Sequence, residues 1–144
     1  MNDRLKQLYQ KVILQESKTP YHYEKRTGAT HIIEANNPVC GDRFTLYLDV
    51  EKDIVKAAYF YGHGCAISKA STSILTRHLE GKSLAAAKSL YAQMTRVINP
   101  NEDISDLGED LQAFEAARFF PERSSCATLS WEAMSSDFPN ENIS

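Results

Sequence analysis

Leu5, Leu8, Val12 and Ile13 fall three and four positions apart, the period of one helix face, and predict an amphipathic helix over residues 3–16. Residues 17–39 lose that period and are broken by Pro20, Gly28 and Pro38, so they read as an irregular polar arm. Phe44, Leu46, Leu48 and Val50 then alternate with polar positions, the signature of a half-buried strand. Glu51-Lys52-Asp53 is a polar turn, and Ile54 to Tyr61 is a second β-rich run. The two make a hairpin that residues near 29–34 could extend to three strands.

Beyond Gly62-His63-Gly64 the period changes to that of helices. Ser68, Ser71, Thr72, Leu75 and Leu79 share a register that Glu80-Gly81 ends, with glycine in the stop position. Leu84 to Val97 is a further helix, stopped by Asn99-Pro100. Asp110 to Phe120 is another, closed by Pro121, and Cys126 to Met134 is the last before a polar tail over 136–144. A helix, a small antiparallel sheet and then several helices is an α+β order, in a single domain over 1–144.

Composition narrows the function classes. The 144 residues are 42% hydrophobic and 24% charged, enough for one real core without disulfide staples. Net charge is −3 with scattered basic residues, which argues against nucleic acid as a partner. No apolar run nears the roughly 20 residues of a membrane span, and the polar start Met1-Asn2-Asp3-Arg4 is unlike a secretory leader. A cytoplasmic protein is expected.

In a reducing compartment three separated cysteines are buried fillers, metal ligands or reactive thiols. Cys40 lies in the loop Pro38-Val39-Cys40-Gly41-Asp42, which sets a thiolate and a carboxylate within reach of one cation. Cys65 follows Gly64 where strand gives way to helix, and a helix N-terminus favours a thiolate. Cys126 is read as opening the last helix, with Arg123 supplying nearby positive charge. Three thiolates plus a carboxylate or imidazole suit tetrahedral zinc. Spacing is weak support, since 24 residues lie between Cys40 and Cys65 and 60 between Cys65 and Cys126. Asp42 is the favoured fourth ligand and His63 its rival. His22, His31 and His78 read as solvated or helix-end residues, and Tyr21, Tyr23, Tyr59, Tyr61, Leu129 and Trp131 as packing groups.

Cys40-Gly41-Asp42, Gly64-Cys65-Ala66-Ile67-Ser68 and Arg123-Ser124-Ser125-Cys126-Ala127-Thr128-Leu129-Ser130-Trp131 resemble, in order and across nearly the whole chain, the cysteine motifs of the IscU/NifU-N superfamily, specifically its SufU branch. IscU-type scaffolds carry a histidine directly before the third cysteine, and here that position is Ser125. The stretch 100–121 resembles the helical insertion of SufU, behind an N-terminal helix over 1–18. The resemblance implies a SufE/NifU-like fold with a three-stranded sheet and one zinc per chain on Cys40, Asp42, Cys65 and Cys126. It implies a sulfurtransferase that accepts persulfide sulfur from a pyridoxal-phosphate-dependent (SufS-type) cysteine desulfurase and passes it toward SufBCD machinery. Cys40 becomes the sulfur acceptor and Arg123 a candidate group behind the ligands. The alternatives are a scaffold that assembles a [2Fe–2S] cluster on the same ligands and an adaptor whose zinc is structural.

Overall fold

A computed structural model describes residues 3–38 and 41–138. Helix α1 (Asp3–Lys18) is followed by strands β1 (His31–Asn37), β2 (Asp42–Glu51) and β3 (Ile54–His63). Helices α2 (Ala66–Leu79), α3 (Leu84–Ile98), the single turn α4 (Glu109–Gln112), a 3-10 segment (Ala113–Phe119) and α5 (Pro121–Asp137) complete the chain. The strands form one antiparallel sheet in the order β1-β2-β3. The fold is α+β, as the sequence pattern predicts. The strand expected near 29–34 is β1, and it runs on to Asn37 within the arm: Ile33 and Ala35 are buried while Ile32 and Glu34 face out.

Alternation sets which face of the sheet is covered. Phe44, Leu46, Leu48, Val55, Ala58 and Phe60 point into the core, where they meet α2 and α5. Each large apolar side chain so buried contributes about 1.5–3 kcal/mol. The β2–β3 hairpin closes on Lys52 and Asp53, both at positive φ (52° and 61°), between the paired residues Glu51 and Ile54. That is the type I′ geometry that suits the strand twist, built from residues other than its preferred Asn-Gly. At the far end of the hairpin Gly62 is required: a Cβ there would lie 2.1 Å from the Arg43 carbonyl oxygen.

The outer edge of β3 is sealed. His22 accepts the Phe60 N–H on its carbonyl (3.1 Å), and its Nδ1 lies 3.0 Å from the Ala58 carbonyl. Glu80 accepts the Ala58 N–H at 3.0 Å, and the Tyr23 hydroxyl donates to the Gly62 carbonyl. The His22 ring stacks on Tyr21 and on Tyr59, at 3.8 and 4.8 Å between centroids. An unpaired strand edge invites pairing with another chain, and here the His22 backbone and the side chains of His22, Tyr23 and Glu80 occupy part of it. His22 therefore has a structural post that the sequence pattern left as solvated.

Two predicted helices are corrected. Asp110 to Phe120 is not one α-helix but the turn α4 followed by 3-10 backbone. Its buried Phe114, Ala116 and Ala117 pack beneath α1 and α3, and Arg118 donates to the carbonyls of Val97 (2.8 and 3.0 Å) and Arg96 (3.3 Å) at the end of α3. Pro121 does not close that segment; it occupies the first position of α5, where its missing N–H costs nothing. Helix α5 thus begins five residues before Cys126. The expected tail overlaps the end of α5, and residues 139–144 lie outside those described.

Candidate metal centre

Asp42 opens β2 and Cys65 caps α2, and the loop between β3 and α2 brings them together. Cys65 has N-cap geometry (φ −68°, ψ 166°), and its sulfur accepts the Ser68 N–H at 3.4 Å. The Asp42 carboxylate, only 2% exposed, accepts the Cys65 N–H at 3.0 Å on Oδ1 and places Oδ2 4.0 Å from the Cys65 sulfur. Ser68 is buried behind them. Its hydroxyl donates to the Cys65 carbonyl at 3.1 Å and lies 3.5 Å from the Cys65 sulfur.

Cys126 enters from the second turn of α5 rather than from a helix start, because α5 begins at Pro121. It is buried, whereas Cys65 is exposed. Ligand atoms of Asp42, Cys65 and Cys126 all lie within 4.8 Å of one another. Cys40, the fourth residue of the expected set, lies outside the described residues. His63, the rival ligand, ends β3 opposite Arg43 and is not in the cluster.

The donor set suits a soft divalent cation. Two atoms bound to one zinc at about 2.0–2.3 Å in tetrahedral directions stand roughly 3.3–3.8 Å apart. The 4.0 Å between Oδ2 and sulfur is close to that spacing. Burial first, then hydrogen bonding with Cys65 and Asp42, pushes the Cys126 thiol well above its ordinary range. Arg123 does not relieve it by contact; it is exposed on the first turn of α5, with its guanidinium 4.5 Å from the centre of the Phe120 ring.

Two residues absent from the sequence-based set belong to this neighbourhood. Gly64 is needed because a Cβ would lie 2.7 Å from Asp42 Oδ1, from Phe44 Cε2 and from Ser68 Oγ. Tyr9 of α1, half-buried against the core, lies within electrostatic range of the cluster. Burial raises its phenol, Arg123 opposes that rise, and the charges of Cys65 and Cys126 add to it. Only the packing of α1 onto α2 brings Tyr9 there, so no local signal could have found it.

Residues 8–127 match the family described as NifU-like N terminal domain. The chain belongs to that family. It is 38% identical over 135 residues to the zinc-dependent sulfurtransferase SufU of Bacillus subtilis, covering 92% of this chain and 90% of that one. It is 33% identical over 133 residues to the iron–sulfur cluster assembly scaffold protein IscU of Streptococcus pyogenes, covering 91% and 82%. A crystal structure described as a putative iron–sulfur cluster assembly scaffold protein for the SUF system, from Fervidobacterium islandicum, superposes with a TM-score of 0.79 at 28% identity, over 90% of this chain and 96% of that one. The family's setting is iron–sulfur cluster assembly. No helix among the described residues is long and apolar enough to cross a membrane.

Proposed function

We propose that this protein is a zinc-dependent sulfur acceptor for iron–sulfur cluster assembly, with Cys40, Asp42, Cys65 and Cys126 as the metal-binding set. The observation that carries this reading is the convergence of Asp42, Cys65 and Cys126 from different parts of the chain, with ligand atoms within 4.8 Å of one another. Similarity to a relative named as a zinc-dependent sulfurtransferase supports it. Zinc bound there would keep the thiols deprotonated at neutral pH and guard them against disulfide formation.

The chain's own residues divide the labour. Cys65 is held by its cap bond to Ser68 and by Asp42, and Cys126 is held inside the second turn of α5. Cys40 falls in the sequence Pro38-Val39-Cys40-Gly41 and is the thiol given the transfer role. Its thiolate attacks the outer sulfur of a donor cysteine persulfide. The bond from Cys40 to that sulfur forms as the donor's sulfur–sulfur bond breaks, and the electron pair leaves on the donor thiolate, so no oxidant is consumed. The fitting donor is a pyridoxal-phosphate-dependent cysteine desulfurase of the SufS type, and the onward acceptor a SufBCD-type assembly complex. The cytoplasm, where thiols stay reduced, is the fitting compartment.

The test is to incubate the protein with such a desulfurase and cysteine and to map added sulfur by peptide mass. The mass of one sulfur atom should appear on the peptide containing Cys40, and Cys40→Ser should abolish it. Sulfur mapped to Cys126 would overturn the assignment of roles. Iron and sulfide retained on the protein, with no persulfide on any peptide, would favour a [2Fe–2S] scaffold instead.

A further inference from the structure

Between α2 and α5, the helices that carry Cys65 and Cys126, the core contains hydroxyls where apolar side chains would pack at lower cost. Ser68, Ser71 and Thr72 are each 1% exposed and Ser130 is 2% exposed. Some of their hydrogen bonds run within α2 and others cross to α5. Thr72 Oγ1 donates to the Ser68 carbonyl at 2.8 Å and lies 2.6 Å from Ser130 Oγ. A hydroxyl has one proton, so with that of Thr72 committed to Ser68, Ser130 is the donor to Thr72. In a second string, the Trp131 indole N–H donates to Ser71 Oγ at 2.8 Å, and Ser71 donates to the Ala127 carbonyl at 2.5 Å.

Both strings end at the candidate metal centre. The first reaches Ser68, whose N–H and hydroxyl lie against the Cys65 sulfur. The second ends on the carbonyl of the residue next to Cys126. Apolar helix contacts tolerate sliding by fractions of an ångström, whereas hydrogen bonds near 2.6–2.8 Å lose energy steeply when they are stretched or bent. We infer that Ser71, Thr72, Ser130 and Trp131 are positioning residues that fix the spacing between the sulfurs of Cys65 and Cys126. The assignment rests on the proposal that these two cysteines share a metal. It goes beyond that proposal by placing the precision of the site in a buried polar seam.

The experiment uses Ser71→Ala, Thr72→Val and Ser130→Ala, with Thr72→Ser as the variant that keeps the hydroxyl. Val55→Ala, a core change on β3, controls for stability loss alone. Three quantities are read: the rate of zinc loss to a chelator, the thiolate-to-metal charge-transfer absorption of the cobalt(II)-loaded protein, and, in the metal-free Cys40→Ser background, the rate at which dibromobimane bridges Cys65 to Cys126. Thr72→Val and Ser71→Ala should release zinc faster on the order of 10-fold, alter the cobalt absorption and bridge more slowly. Thr72→Ser should behave as the parent, and Val55→Ala should lower the melting temperature while leaving all three readouts alone. Seam variants that melt earlier yet release zinc, absorb and bridge like the parent would overturn the inference. If the parent holds no zinc or cobalt, the zinc proposal fails by itself. The bridging rate then judges the seam: slower bridging in the variants supports it and unchanged bridging overturns it. Should Thr72→Val not fold, Ser130→Ala, which deletes only the donor to Thr72, is judged by the same rate.

Discussion

The Asp42 carboxylate accepts the backbone N–H of Cys65 at 3.0 Å, tying the first residue of β2 to the cap of α2. One oxygen is spent on that bond while the other faces the Cys65 sulfur, so the same side chain is both a structural clamp and a candidate ligand.

Asp42→Ala therefore removes two things at once. The metal-free protein should lose about 0.5–1.5 kcal/mol of stability in urea unfolding, because the Cys65 N–H loses its acceptor. Zinc content by elemental analysis should fall below one per chain. Asp42→Cys should bind zinc more tightly, thiolate being the softer ligand, and accept sulfur more slowly. Sulfur acceptance at the parent rate by Asp42→Cys would contradict a site that depends on a weaker oxygen ligand.

Gly64→Ala tests the crowding of the site. The added methyl would press on Asp42, Phe44 and Ser68 together at 2.7 Å, and Phe44 is locked in the core. The carboxylate and the hydroxyl should move first, so zinc affinity should drop out of proportion to any change in melting temperature. Parent-like zinc binding would show that the loop has more room than its geometry indicates.

Asp110 gives a pH dependence with a definite sign. Its carboxylate lies 2.7 Å from His78 Nε2, and that hydrogen bond holds it below the ordinary carboxylate range of about 3.9. A carboxylate depressed in the folded state stabilises the fold above its unfolded value, and that contribution is lost as pH falls through the folded value. Asp110→Asn should thus melt earlier than the parent at about pH 6, with the difference shrinking as pH is lowered below about 3.9. A difference independent of pH would assign the loss to packing of α4.

The hairpin turn offers a gain rather than a loss. Replacing Lys52-Asp53 with Asn-Gly puts residues that accept positive φ where the backbone already adopts it. A stabilisation of about 0.5–1 kcal/mol is expected from urea unfolding, with zinc content unchanged because the turn lies at the opposite end of the hairpin from Gly62.

The sequence by itself determined the elements whose signals are local. Alternation in Phe44, Leu46 and Leu48 specified β2, and the positive-φ Gly81 after Leu79 marked the end of α2. Cys65 could be placed at a helix start because Gly64 and the change of period lie beside it. What failed depended on partners far along the chain. Pro121 is compatible with either end of a helix, and the contacts of Arg118 with the end of α3 go with 3-10 backbone before it and an early start for α5. The third strand expected near 29–34 is there, but its run on to Asn37 depends on the pairing edge that β2 offers, and His22 gained its role only because the opposite edge of β3 needed acceptors and donors. The site follows the same division. The residue types able to bind a soft cation are written in the chain, but the meeting of Asp42, Cys65 and Cys126 required the packing of β2, α2 and α5. Hydrophobic period acts over a few residues, whereas a ligand sphere is closed by groups that only the folded core brings within a few ångströms.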